Sequence, residues 1–253
     1  MIITKDWIPV WKRNRDVFKK LFWVNFFLPL LEPIFYLITF GFGLGSYIKE
    51  IDGMPYKKFI IPAIVAMATL SSSFFYTTYS SFVKMIFQKT FDAIIATPVS
   101  IEEVVVGEIM WGATRGIISG FMVLLLLKML NLITFLGFFL YLPIIASLAF
   151  TFSSLGMFFT ATVSTIESFN YPIFLYYTPM IFFSGTFFPL SNFPEAIVTI
   201  SKIIFPLTYS MISLRTLDIS FNIKTLLEGM FPLIHGVIFF ILSIKLMKRK
   251  LIK

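Results

Sequence analysis

The chain has 253 residues, is 58% hydrophobic with a mean hydropathy of +0.89, and carries only 13% charged residues. That composition excludes an ordinary soluble domain, and the lack of cysteine excludes disulfides and thiolate metal sites. The net charge of +8 is not a nucleic-acid footprint, because the basic residues gather at the two ends: Lys5, Lys12, Arg13, Arg15, Lys19 and Lys20 before the apolar region, and Lys245, Lys248, Arg249, Lys250 and Lys253 after it.

Six apolar windows reach the roughly 20 residues that a helix needs to cross a bilayer: about 24–46, 59–82, 105–127, 135–163, 168–189 and 229–247. The short alternating segments of a membrane β-barrel are absent. The expectation is an all-α membrane protein, one transmembrane domain over 1–253. Basic ends stay cytoplasmic, and both ends on one side requires an even number of spans. Lys49, Lys57 and Lys58 fall outside on this topology, softened by Glu50 and Asp52, so the orientation rests on the termini. No cleavable signal peptide and no separate soluble domain is expected.

Residues 5–22 read as an amphipathic interfacial helix, with Trp7, Val10, Trp11, Phe18, Leu21 and Phe22 near one face. It is either a plain anchor or also a contact for a cytoplasmic partner. The first span carries Glu32 and Pro33, then Phe40-Gly41-Phe42-Gly43-Leu44-Gly45. A charge at mid-membrane costs roughly 2.5–3.5 kcal/mol on insertion scales. Glu32 must therefore face the interior, a wet cavity or the inner surface. A substrate-path contact and a satisfied structural acid are both open readings.

After the second span, Val83, Ile86, Phe87, Thr90, Phe91, Ile94 and Ile95 recur at helical spacing, with Lys84, Gln88, Lys89 and Asp92 on much of the other surface. A helix over 84–98 is expected, stopped by Thr97-Pro98 because the residue before proline is pushed out of helical geometry. Ser100, Glu102 and Glu103 then start the next helix, with Ser100 and Glu103 forming a capping box. A helix lying along the membrane, a sharp turn and a crossing helix make a lever that a soluble motor can push; an interfacial helix with no docking role is the alternative. In the third span Gly112, Gly116 and Gly120 stand four apart, a pattern for close packing within one subunit or at a dimer seam. Arg115 beside them needs an acceptor, and Glu108 is at most an indirect neighbour.

The fourth span holds a close-packing patch, Ser153, Ser154 and Gly156. In the fifth, Tyr176 and Tyr177 lead to Phe183, Ser184 and Thr186, which with Glu32 could line a path for an amphipathic or sugar-bearing substrate. With 33 phenylalanines in the chain, an aromatic stripe is also expected by chance. Pro189 stops this helix; Asn192 and Pro194 have a cap-and-start pattern. Residues 191–215, broken again at Pro206 and ending on Arg215, read as an outer re-entrant segment. No phosphate-binding GxxxxGK[ST] loop, HExxH, GxSxG or Cys/His cluster occurs, and His235 is the only histidine. The expectation is a chain without a catalytic site, bound cofactor or energy source of its own.

The ordered set SG-FFPL-FP-PLT-R over 184–215, the run FDAIIATPVSIEEVVVGEIMWGATRG at 91–116 and the EP…FGFGLG pattern of the first span together resemble type-2 ABC transporter permeases. Within them the likeness is greatest to the nodulation-factor and lipooligosaccharide export branch. The resemblance implies a prokaryotic inner-membrane exporter of two six-span subunits, identical or paralogous. Two cytoplasmic ATPase subunits beneath them would hold ATP and Mg. It implies a coupling role for Ile86, Phe87, Lys89, Phe91, Asp92, Thr97, Pro98, Glu102 and Glu103. The substrate implied is a lipid-linked saccharide or lipooligosaccharide, with a hydrophobic drug as competitor. An ATP-independent channel or facilitator is the alternative from another class, though the spans offer few polar residues to line a pore.

Overall fold

The computed structural model describes residues 4–217 and 221–252, without the side chains of Phe26, Leu28 and Pro29; Lys253 of the terminal basic group lies outside the described residues. Helix α1 (Trp7–Lys20) packs beside the bundle. Among the described residues five helices are long and apolar enough to cross a membrane: α2 (Phe22–Ser46), α3 (Tyr56–Ile86), α5 (Ile101–Met129), α6 (Phe135–Thr162) and α10 (Ile223–Leu251). At about 1.5 Å per residue, helices of this length outreach a hydrocarbon core of about 30 Å. A two-stranded hairpin, β1 (Glu50–Ile51) and β2 (Met54–Pro55), joins α2 to α3. The short helix α4 (Thr90–Ile95) sits between α3 and α5.

Helix α7 covers residues 167–183 as a chain of 3-10, α and π turns. It rises only about 25 Å and ends six residues before the predicted limit. The cause is Gly185, at φ +77°, a left-handed residue that takes the chain out of the helix. Helices α8 (Glu195–Ile204) and α9 (Leu207–Leu217) then meet at 100° across Pro206, the bent pair expected of a re-entrant segment. Asn192 does not cap it: it lies in a separate 3-10 turn, and α8 begins after Pro194.

Helix α3 is the axis of the fold, 83% of its most apolar window being buried. It is apolar on all sides, as a helix enclosed by other helices must be. Gly112, Gly116 and Gly120 give α5 a flat face toward α3 and α6. A Cβ on Gly116 would lie 2.9 Å from the Ser73 Cβ and 3.0 Å from the Ala149 Cβ. The glycine row therefore brings backbones together inside the chain. Helix α2 is the opposite case, only 19% of its window being buried, with Trp23, Phe27, Phe35 and Ile38 exposed.

Helix α3 also runs past its predicted end at 82, to Ile86, through a wide π turn at Tyr76–Ser80. A π turn leaves carbonyls outside the regular ladder. The Thr160 hydroxyl of α6 fills that gap, donating to the Thr77 carbonyl at 2.7 Å.

Candidate coupling site and translocation path

The segment between α3 and α5 is not one helix over 84–98. Residues 84–86 finish α3, and Lys89 adopts a left-handed φ of +52° before α4 begins. Phe91 points inward and is fully buried, in a cluster with Phe82, Met85, Val105, Met157 and Phe169. This corrects its assignment to a docking surface: Phe91 is the anchor that fastens α4 to the bundle. Ile86 is partly buried against the same cluster. Phe87 is 66% exposed, and Lys89, Asp92, Thr97 and Pro98 are exposed as well. Lys89 and Asp92 pair across one turn at 3.8 Å.

Glu102 and Glu103 are also not free to dock. The Ser100 hydroxyl accepts from the Glu103 amide, and the Glu103 carboxylate accepts from the Ser100 amide at 2.8 Å, completing the capping box. The same carboxylate accepts from the Thr4 hydroxyl. Glu102 accepts from Lys248 Nζ at 2.5 Å. Consecutive acids thus tie the start of α5 to the segment before α1 and to the end of α10.

Beside this joint is a buried polar hub that sequence reasoning missed. Glu108, fully buried in α5, accepts from Lys84 Nζ at 2.6 Å, from the Ser81 hydroxyl at 2.9 Å and from the Tyr76 hydroxyl at 3.1 Å, all on α3. Asn14 Nδ2 of α1 donates to it at 2.8 Å, and the Asn14 carbonyl oxygen accepts from Lys84. Lys84 is therefore not on the outer surface where its helical spacing placed it. Buried charges persist when paired and fully hydrogen-bonded, and with Asn14 this pair joins three helices, α1, α3 and α5. The available signal was a lone acid in an apolar helix, but its partner 24 positions back lay in another predicted element.

The candidate path residues are not gathered on one open surface. Ser184 and Thr186 are fully buried, and Tyr177 is buried against Phe74 and Phe75. The Ser184 hydroxyl accepts from Thr208 at 3.1 Å. Arg215 clamps the same turn, donating to the carbonyls of Gly185 and Thr186 and to that of Phe59 at 3.3 Å, with its guanidinium 3.6 Å from the Phe59 ring centre. Tyr176 donates to the Ile204 carbonyl at 2.9 Å, bracing α8, and Phe183 packs edge-on to Phe193. Pro189 and Pro194 bracket the turn between α7 and α8. These residues hold the outer segment in place. Glu32 lines a cavity of about 250 Å³ with Ser71, Ser72, Phe75, Arg115 and Ser119, and Tyr176 lines another of about 550 Å³ with Phe159, Tyr171 and Pro172. Glu32 is exposed. It accepts from the Tyr36 hydroxyl at 3.1 Å. Among the described residues no cluster of three or more acidic, histidine or cysteine side chains could hold a metal ion.

The ABC-2 type transporter family model matches residues 8–218. The chain belongs to this family. It is 32% identical to Nodulation protein J of Rhizobium meliloti (strain 1021), over 97% of this chain and 94% of the relative. It is 31% identical to the protein of that name in Sinorhizobium fredii (strain NBRC 101917 / NGR234), over 98% and 94%. A partial likeness, 25% identity over 45% of this chain and 44% of the relative, connects it to the inner membrane transport permease YadH of Escherichia coli (strain K12). The chain is a multi-pass membrane permease subunit, a transport component.

Proposed function

We propose that this permease forms half of an ATP-driven exporter of an amphipathic glycolipid, a lipid-linked saccharide or lipooligosaccharide. A separate ATPase subunit would dock on the exposed surface of Phe87, Lys89, Asp92, Thr97 and Pro98. The observation that carries this reading is the contrast within one short segment. Phe87 is exposed while Phe91, four residues on, is locked into the core. A large exposed aromatic in the turn beside a rigidly braced helix is what transmission of a push requires. Phe91, Glu102 and Glu103 then act as the braces of the lever. Likeness to nodulation proteins over nearly the whole chain supports the glycolipid over a hydrophobic drug.

In the proposed orientation both termini and α4 are cytoplasmic, in a prokaryotic inner membrane, and the bent pair α8–α9 lies at the outer face. ATP and Mg are held by the ATPase alone. A second permease copy covers the exposed apolar sides of α2 and α7, where Tyr171, Phe174 and Leu175 also project outward. Glu32 and its cavity provide the polar wall of the path.

The test is affinity purification of the full chain from its native membrane, with partners identified and ATP hydrolysis assayed. Recovery of an ATPase, lost in Phe87→Asp with the fold intact, is the expected result. A homo-oligomer without ATPase that conducts solute when reconstituted alone would replace this reading with a facilitator.

A further inference from the structure

A cavity of about 370 Å³ opens between α1 and the adjoining parts of α3 and α5. Three cations line it: Arg13, Lys84 and Arg115. Lys84 is committed to Glu108 at 2.6 Å. Arg115 is not committed: among the described residues it makes no hydrogen bond or ion pair. Its guanidinium lies 5.1 Å from the Tyr76 ring centre and 5.6 Å from that of Phe18. Ring faces attract a cation but fill none of the five N–H donors of a guanidinium. Leaving such donors half-buried without an acceptor is costly.

The nearby carboxylates do not supply that acceptor. Glu108 is filled by Lys84, Asn14, Tyr76 and Ser81. Asp16 pairs with Arg15. Glu32 shares the adjoining cavity with Arg115 but takes its hydrogen bond from Tyr36. Arg13 and Arg115 therefore line one space without a hydrogen-bonded carboxylate among the described residues. Part of the remaining wall is apolar, from Phe18, Val83 and Trp111, beside the polar Asn25, Ser80 and Gln88, and two further apolar lining residues, Val17 and Leu21, are exposed. A simple anion would satisfy the guanidinium and leave this wall wet. An anion attached to a hydrocarbon chain satisfies both.

We infer that this cavity binds the phosphate headgroup of an anionic membrane lipid. Arg115 grips the phosphate through its planar fork of donors, the geometry that suits guanidinium to phosphate. Arg13 approaches from the α1 side, and the acyl chains leave over Val17 and Leu21. The lipid would then cement α1 to α3 and α5, adding a third component to the Glu108 hub. This site adjoins the Glu32 cavity, which Arg115, Tyr76 and Ser80 also line, and does not require the exporter reading.

The test is native mass spectrometry of the delipidated full chain in detergent, titrated with dioleoyl phosphatidylglycerol or dioleoyl phosphatidylcholine. Phosphatidylglycerol should be retained as one molecule per chain and preferred by about tenfold or more, the scale of a lost charge-assisted hydrogen bond. Arg115→Gln should erase the preference and Arg115→Lys should keep part of it, while the exposed Lys224→Gln should change nothing. If Arg115→Gln is not monodisperse, Arg13→Gln on the exposed side of α1 gives the same reading. Equal retention of both lipids by the unmodified chain, or undiminished preference in these glutamine variants, overturns the proposal. Displacement of the lipid by millimolar inorganic phosphate also overturns it, because the cavity would then be a site for the free anion.

Discussion

Removing the acid at the centre of the α1–α3–α5 hub should be among the most damaging single changes in the chain. In Glu108→Gln the side-chain volume is kept, but one carboxylate oxygen becomes an NH2 group. Lys84 Nζ reaches both oxygens, at 2.8 and 2.6 Å, and each oxygen also accepts from other donors. Either orientation of the amide therefore sets its N–H groups against the Lys84 ammonium and leaves that ammonium without its counter-charge. Breaking a buried ion pair from one side costs about 3–5 kcal/mol. The retained volume and single acceptor put this variant near about 3 kcal/mol, or roughly a hundredfold in the folded population. Replacing both partners, Glu108→Gln with Lys84→Met, removes the orphaned charge and should recover about half or more of the loss, because contacting residues couple strongly. The assay is a double-mutant cycle on the purified full chain, following helix loss with denaturant in mixed micelles. A cost below about 0.5 kcal/mol for Glu108→Gln, or a double variant as unstable as the sum of the singles, would refute a pairing-dependent hub.

Three further outcomes follow from other parts of the fold. Phe91→Ala should lower stability by about 3–5 kcal/mol, as for other buried aromatic truncations. Phe87→Ala should shift stability by less than about 0.5 kcal/mol while abolishing ATPase recovery; equal stability losses would show that the exposed and buried faces of this segment are misassigned. Gly116→Ala places a methyl group 2.9–3.0 Å from Ser73 and Ala149, so a loss of about 1–3 kcal/mol is expected, read by thermal unfolding; an unchanged midpoint would mean that α5 can retreat from α3. Ser100→Ala removes one side of the capping box and should cost about 1 kcal/mol, with faster amide exchange in residues 101–104 as its local signature.

Five of the six expected spans were legible because each is an apolar run of sufficient length, a local property; the one expected over 168–189 is cut short at residue 183 and is not among the helices long enough to cross. The capping box and the bent pair were legible for the same reason, being written in Ser100 to Glu103 and in the prolines from Pro189 to Pro206. What escaped was everything decided by a partner from elsewhere. Lys84 looked like part of the outer surface of a helix over 84–98, yet α3 carries it inward to Glu108 and continues to Ile86. Phe87 and Phe91 fall on the same predicted apolar face. The left-handed turn at Lys89 separates them, sending one outward and the other into the core. Ser184 and Thr186 looked like polar groups available to a substrate; Arg215, about 30 positions away, closes the turn over them.

The adjacent acids Glu102 and Glu103 reach in opposite directions along the chain, one to Lys248 and the other to Thr4. Mechanically the molecule is thus a closed loop buckled at one clasp, with its first and last helices hung from the same point. A load applied to α4 is shared by α1 and α10, and neither can peel away without opening the clasp. Undoing it at Ser100 or Glu103 should loosen residues that are remote in sequence, so amide exchange near residues 5–10 and 245–251 should rise together; a rise confined to residues 101–104 would mean that the two attachments are independent.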